Sequence, residues 1–378
     1  IDMKKQEKAL LTIIVPAYNV EAYIEECLNR LVNQTVRNHK IIIVNDGSTD
    51  KTEEKCLKYK EEYEELITYV YQDNKGLGGA RNTGMQYVDT PYLTFLDSDD
   101  WLSIKFVEKF SKLMEWTDEK PEMVFTLPWV FDSVTNRILS WKDKEIYDSI
   151  FEVKENKSYV KTNVRKNPEL YKLEVSSCRK IYKTEFLEDN KFFFPEKLKW
   201  EDVPGHFYLL NKANTCMALP EVGFFYRTNQ GGQITSGGGK TRLDMVPIFE
   251  QLLKVQEENN FIEIERAYVL RLILDFSLWS VEATNVEYIV ELLNKLHIFW
   301  KKIDKNDLQF YLDNLSQNKE VEKGFVASLM SENYLKLKEY DERYDVMRKY
   351  SRVFNKLPMI NYDVMPNPPV GLKTMEGF

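Results

Sequence analysis

Paired metal-binding cysteines and histidines are missing from this chain. Its 378 residues hold only four cysteines and three histidines. Cys27, Cys56, Cys178 and Cys216 show no paired spacing and sit among apolar residues. They read as buried free thiols of a reducing cytosol, not as a disulfide framework. His39, His206 and His297 are too dispersed for a zinc site. No apolar run approaches the roughly 18 residues of a membrane span. The start, Ile1 to Leu10, is charged and carries no signal-peptide core. Ile1 and Asp2 ahead of Met3 read as a cloning remnant. Basic excess is lacking too. The net charge is −8, which leaves no electrostatic footprint for nucleic acid. What is present, 43% hydrophobic and 30% charged residues, suits a globular cytoplasmic protein of one large or two ordinary domains.

The first part alternates β-branched runs with helical patterns. Strands are expected at Leu11 to Val15, Lys40 to Asn45, Ile67 to Gln72 and Tyr92 to Leu96. Helices are expected at Glu21 to Gln34, Thr49 to Glu65 with Ser48 as its cap, Gly78 to Val88 and Lys105 to Trp116. Near-continuous apolar strands between helices predict an α/β fold, a mostly parallel sheet covered on both faces. Further strands are expected at Met123 to Leu127 and Val222 to Tyr226, with a helix from about Pro204 to Asn211. Gly231, Gly232, Gly237, Gly238 and Gly239 then crowd together as a mobile loop, a linker or both. Beyond them apolar residues recur at helical spacing, as in Ile248, Leu252 and Val255. Residues 1–240 are read as the α/β domain and 241–378 as a smaller all-helical domain. That domain would bind an acceptor, dimerise or rest on a membrane surface. Its Trp279, Phe299, Trp300 and Tyr311 read as core or as a docking patch.

Ligands of open parallel sheets sit at the carboxyl ends of the strands. The informative polar residues follow those ends. Asn19 follows the first strand, Asp46 the second, Asp73 the third and Asp97 the fourth. The fourth ends in Asp97-Ser98-Asp99-Asp100. Carboxylates that close repel one another, and a hard divalent cation relieves the repulsion. The bland alternative is a solvated turn. In Pro16-Ala17-Tyr18-Asn19 the proline should stop sheet pairing, and the Tyr18 ring can stack a nucleobase or fill the core. Asp46 suits an N–H donor such as uracil N3, or a helix cap. The run Asp73-Asn74-Lys75-Gly76-Leu77-Gly78-Gly79-Ala80-Arg81 enters a helix whose backbone N–H groups and Arg81 suit phosphate, or it is a flexible turn. Trp200-Glu201-Asp202 precedes Pro204, Gly205 and His206 at a helix start, where acidic residues are stabilised anyway. On the functional reading Asp202 is a general base, with Glu201 and His206 in reserve.

Taken together these residues resemble the family 2 glycosyltransferases, which have the GT-A fold. The motifs are Val15-Pro-Ala-Tyr-Asn, Val44-Asn-Asp-Gly-Ser-Thr-Asp, Gly78-Gly-Ala-Arg-Asn-Thr-Gly, Phe95-Leu-Asp-Ser-Asp-Asp, Arg179-Lys-Ile-Tyr, Trp200-Glu-Asp, Phe225-Tyr-Arg and Gln233-Ile-Thr. The match is close from Leu11 to Leu102, looser from Val175 to Thr235, and fades after Arg242. The resemblance implies that Tyr18 and Asp46 hold the base of a nucleotide-sugar, usually uridine, in a nucleotide-sugar site that includes Pro16, Ala17 and Asn19. Asp97 would face the ribose or the metal, Ser98 belongs to the same nucleotide-sugar site, and Asp100 is a possible further site residue. Asp99 would ligate Mn²⁺ or Mg²⁺, Gly79 and Arg81 would lie near the sugar or diphosphate, and Asp202 would be the base. Lys180 and Arg227 would neutralise the departing diphosphate. Asn45 stands where the family often has Asp, Cys178 where it often has Trp, and no histidine follows Arg227. The implied activity is inverting, metal-dependent transfer from a UDP-sugar to a hydroxyl of a cell-surface glycan, teichoic-acid-like or lipid-linked acceptor. It would occur in the cytoplasm or at the inner face of the membrane, in a chain that can form a homo-oligomer through its helical domain. The rivals are a non-catalytic sugar-nucleotide-binding subunit and a sugar-nucleotidyltransferase. The second needs a glycine-rich basic loop after the first strand, which Pro16 to Asn19 does not supply.

Overall fold

The structure, a computed structural model, describes residues 9–152, 160–229 and 238–332. They form two compact units. One holds residues 9–152, 160–197 and 212–229, the other 198–211 and 238–332. The expected loop at Gly231, Gly232 and Gly237 and the tail from Pro358 lie outside the described residues.

The first unit is built on one nine-stranded sheet in the order β3-β2-β1-β4-β8-β6-β9-β5, with β7 beside β6. The strands are β1 Leu11–Ala17, β2 His39–Asn45, β3 Ile67–Tyr71, β4 Tyr92–Phe95, β5 Trp101–Leu102, β6 Met123–Asp132, β7 Arg137–Ser140, β8 Lys180–Lys183 and β9 Cys216–Thr228. The four strands β3, β2, β1 and β4 run parallel. The apolar residues of β1, β2 and β4 are buried on both faces, as their unbroken apolar runs require, whereas the edge strand β3 leaves Tyr71 exposed. The other half is mixed. β8 runs antiparallel between β4 and β6, whereas β9 runs parallel to β6. The helices of this unit are α1 Ile24–Val32, α2 Thr52–Glu62, α3 Gly76–Met85, α4 Phe106–Trp116, α5 Lys144–Ile150 and α6 Thr184–Asp189. α1 buries Ile24, Cys27, Leu28, Leu31 and Val32, one helical face.

Two local expectations are corrected. Ser48 does not cap α2. Lys51 holds that position, and the Asp50 carboxylate accepts from the Thr52 N–H at 2.9 Å. The Ser48 hydroxyl instead accepts from the Asn19 N–H. Nor does Pro16 end pairing, since it stays in register with Val44 of β2. Ile14 O accepts from Leu96 N on the β4 side, and Ala17 O accepts from Asp46 N on the β2 side. By that alternation Pro16 faces β4, where the ladder has already ended, so its missing N–H costs nothing.

The second unit is helical: α7 Asp202–Lys212, α8 Met245–Glu258, α9 Glu263–Ala283, α10 Val286–Trp300, α11 Lys305–Asn314 and α12 Lys319–Met330. Polar pairs tie the helices at defined points. Asn211 of α7 donates to Glu265 of α9, Arg266 of α9 to Asp307 of α11, and Tyr311 of α11 to Glu322 of α12. Asp304 and Asn318 cap α11 and α12 through their side chains. Phe299, Trp300 and Tyr311 are buried and belong to this unit's core, not to a docking patch. Among the described residues no helix is long and apolar enough to cross a membrane.

The four cysteines are free and buried, as their apolar surroundings suggested. His39 is also buried at the start of β2. Its Nε2 meets the Leu31 carbonyl at 3.0 Å. Burial lowers its pKa from 6.5 to about 4, despite that bond. A histidine with a depressed folded pKa gives its full stability above 6.5 and loses it as pH falls toward about 4. The loss is about 3 kcal/mol at 1.36 kcal/mol per tenfold. We therefore expect His39→Gln to flatten the decline in melting temperature between pH 7 and 4. An unchanged decline would assign the acid sensitivity to other groups.

Candidate functional site

The strand order turns at β1. From there the chain winds outward to β2 and β3, and then returns to lay β4 on the other side of β1. At such a switch point the loops leaving two neighbouring strands part and open a crevice at their carboxyl ends. Here the loops are Tyr18–Asn19 after β1 and Asp97–Asp100 after β4. The Tyr18 side chain is half exposed at this edge. Asn19 takes a left-handed turn, φ 51°, which asparagine tolerates. Its side-chain oxygen accepts from the Thr49 N–H at 2.8 Å, so the loops after β1 and β2 are pinned together. Asn45, at the end of β2, is fully buried. It accepts from the Ser48 N–H and donates to the Tyr69 hydroxyl. An amide serves both bonds, which accounts for its fit in a place where an aspartate is common.

Asp46 has a more definite task than its position suggested. Its carboxylate is buried. It accepts from Gln72 Nε2 at 2.6 Å, Lys75 N at 2.8 Å and Gly76 N at 2.9 Å. Lys75 caps α3 and Gly76 begins it. The helix start expected to cradle phosphate is thus already occupied by a carboxylate of the protein. The glycines also have another reason. A Cβ on Gly78 would lie 2.1 Å from the Pro195 carbonyl oxygen, and one on Gly84 would lie 2.4 Å from Ile14 Cγ2. They let α3 approach the 194–197 segment and the sheet, and Gly79, whose added Cβ would meet Lys75, is packed likewise.

The acidic turn is graded in burial. Asp97 and Asp99 are half-buried, and Ser98 and Asp100 are buried. Arg81 is buried in α3, and its Nη2 donates to Asp97 Oδ1 at 2.9 Å. The guanidinium lies over the rings of Phe95 and Phe194 and within 3.8 Å of Cys178 Sγ. It serves as the support beneath Asp97, not as an open phosphate hook. Asp100 Oδ1 accepts from the Arg227 N–H at 2.7 Å, while Oδ2 has no partner among the described residues. Burial pushes the Asp100 carboxyl well above its ordinary range, and Asp99 and Asp97 push it further.

Two expected diphosphate ligands have other positions. The Lys180 ammonium is fully buried and donates to the carbonyls of Glu174, Val175 and Ser176 at 2.8–3.0 Å. It closes the 174–176 turn. The Arg227 guanidinium donates to the Asp99 carbonyl and to Glu26, and lies 4.7 Å from the centre of the Trp101 ring. It anchors the acidic turn from behind. Glu26 and Gln72 were missed from sequence. Gln72 carries no charge, and Glu26 lies 201 residues from its partner. Glu201, Asp202 and His206 belong to the helical unit. Asp202 begins α7 half-buried, Glu201 is buried beside it, and buried His206 packs edge-on against Phe207.

The donor set suits a hard cation. Among the described residues no three Asp, Glu, His or Cys side chains are grouped to cage a metal alone. Mg²⁺-like ions are commonly held by one or two carboxylates, with substrate phosphates completing the shell. Asp97 and Asp99 offer that number. The neighbouring Asp100 carboxylate adds negative charge to the turn, which a dication would relieve.

Comparison with known proteins agrees with this architecture. Residues 12–171 match the model of glycosyl transferase family 2. Glycosyltransferase GlyA of Streptococcus pneumoniae serotype 4 is 33% identical over 193 residues, 48% of this chain and 25% of that protein. Putative glycosyltransferase EpsH of Bacillus subtilis is 28% identical over 202 residues, 53% of this chain and 55% of its own length. The chain thus spans between a quarter and about half of these relatives. Among solved structures, S. aureus TarS 1–349 in complex with UDP-GlcNAc superposes with a TM-score of 0.66. Its identity is 19%, with coverage of 89% of this chain and 91% of TarS 1–349. That likeness establishes the GT-A fold expected from the motifs. The family model spans β1 to the segment beyond α5, so residues 12–171 form a glycosyl transferase family 2 region.

Proposed function

We propose that the chain is an inverting glycosyltransferase that moves a sugar from a UDP-sugar to a hydroxyl of a surface glycan or teichoic-acid-like acceptor. The observation that carries the reading is the half-buried Asp97–Asp99 pair at the switch-point edge, propped by Arg81 and by the Asp99 carbonyl's bond to Arg227. Carboxylates held by buried partners on rigid strand ends are pre-organised for a metal-diphosphate. Tyr18 offers its exposed ring to the uracil. Asp46 fixes the floor beside it by ordering residues 72–76. Asp99 and Asp97 would hold Mn²⁺ or Mg²⁺, which when bound stabilises the charge on the departing diphosphate. Asp202 takes the proton of the attacking hydroxyl, a role assigned from the order of the motifs. The helical unit is the candidate for acceptor binding. UDP-GlcNAc is the first donor to try, because the TarS structure holds it and TarS of S. aureus is named a poly(ribitol-phosphate) β-N-acetylglucosaminyltransferase.

Thermal-shift screening of UDP-, GDP-, CDP- and dTDP-sugars with Mn²⁺ tests the donor class. A ligand at about 100 times its Kd adds about 2.7 kcal/mol of stability. We expect a rise in melting temperature with UDP-sugars that EDTA removes. A larger rise with another nucleotide, or none with any, would overturn the uridine assignment.

A further inference from the structure

The residue ahead of Glu201 and Asp202 holds an uncommon backbone. Trp200 has φ 68°, and it is the only aromatic residue in the left-handed region among those described. Asparagine and glycine take that conformation readily, but a bulky side chain does so only where its surroundings force it. The contacts on Trp200 come from one short turn, Lys240–Asp244, and from α9. Arg242 in that turn is buried, and its guanidinium lies 3.8 Å from the centre of the Trp279 ring and 5.5 Å from that of Trp200. Trp279 in turn meets Trp200 edge-on at 5.0 Å, with Phe276 beyond. Asp244 in the same turn accepts from the Lys199 N–H at 3.2 Å. The turn therefore grips both the backbone before Trp200 and the ring of Trp200. The ring's position is set by packing alone, because its Nε1 is buried with no acceptor among the described residues. From Trp200 the chain opens α7 through a bond from the Val203 N–H to the Trp200 carbonyl. Asp202, the first residue of α7, follows two positions after that strained residue.

We propose that Arg242, seated on Trp279, is a positioning residue: it locks Trp200 in its left-handed turn and thereby sets the aim of Asp202. The inference rests on the reading of Asp202 as the base. It explains why an arginine, whose flat cation stacks on an indole face, is buried at this point. Misplacing a reacting group by about an ångström can cost about 100-fold in rate without loss of substrate binding.

The test follows UDP release from UDP-GlcNAc with Mn²⁺ in the full chain carrying Arg242→Met, Arg242→Ala or Trp279→Phe, beside Asp202→Asn. We expect kcat of Arg242→Met to fall about 10- to 100-fold. KM for UDP-GlcNAc should stay within about twofold, the signature of a loss confined to the transition state. Added guanidinium ion at millimolar concentration should restore part of kcat in Arg242→Ala and none in Asp202→Asn. Trp279→Phe, which keeps an aromatic face, should show a smaller fall of the same kind, and it decides the matter if the Arg242 variants do not fold. A lower melting temperature with unchanged kcat per folded molecule would overturn the proposal and leave Arg242 as packing. Full activity in Asp202→Asn would instead remove the base reading on which it rests.

Discussion

Asp99→Ala should abolish measurable transfer and weaken UDP binding far more in Mn²⁺ than in EDTA. The expectation rests on the geometry of the acidic turn. Arg81 engages Asp97, and the Arg227 N–H engages Asp100. The bond from Arg227 to residue 99 goes to its carbonyl, so the substitution leaves that anchor in place. Stabilising the charge of a leaving diphosphate is worth several kcal/mol. At 1.36 kcal/mol per tenfold, the rate should fall by at least about 100-fold. Calorimetric titration of UDP into wild type and variant, with Mn²⁺ and with EDTA, separates the metal contribution from the rest. Equal UDP affinity of the two proteins in Mn²⁺ would withdraw the metal role from Asp99.

Asp202→Asn should retain UDP affinity and lose about 100-fold or more of the transfer rate, the usual scale for a lost general base. The substitution keeps the size and shape of the side chain at the first residue of α7 and removes its basicity. Parallel measurements of KM for the donor and of kcat make the distinction. A rise in KM with kcat intact would mean that Asp202 contributes to ground-state binding. Near-normal transfer would move the role to its buried neighbour Glu201 or elsewhere.

The part of the fold that positions the donor was legible because of how it is buried. Strands covered on both faces must be apolar throughout, so β1, β2 and β4 stand out as Ile, Val, Leu and Phe runs. The remaining strands do not carry that signal. β5 is two residues long. β8 reads Lys-Ile-Tyr-Lys, and its first lysine looks exposed until three carbonyls from the preceding turn close over the ammonium. β9 is longer than its apolar tail suggested, because its register with β6 shifts between Phe125 and Leu127, opposite the stretch that contains Pro220.

The same limit governs the site. Type and spacing marked the positions of Asp46, Asp97 and Asp99 but not their partners. Whether a charged group faces a ligand or the protein itself depends on contacts distant in sequence. Asp46 turns toward Lys75 and Gly76, Arg227 toward Glu26, and Lys180 toward its own loop. Asp46, Arg227 and Lys180 thus make contacts within the protein, as Arg81 does with Asp97, whereas Tyr18 and Asn19 are exposed and Asp97 and Asp99 half-buried.

Analysis of the products formed from nucleotide-sugars tests the account most directly. The wild-type chain is incubated with Mn²⁺ and each of UDP-, GDP-, CDP- and dTDP-sugars, and the released nucleotide is identified by chromatography. The account predicts release of UDP from a UDP-sugar, with water as the slow acceptor when no glycan is present, and no release by Asp99→Ala. Binding without release would indicate a non-catalytic subunit. In a parallel incubation with added pyrophosphate, formation of UTP and sugar 1-phosphate in place of UDP release would indicate a nucleotidyltransferase, and either result would contradict the proposed activity.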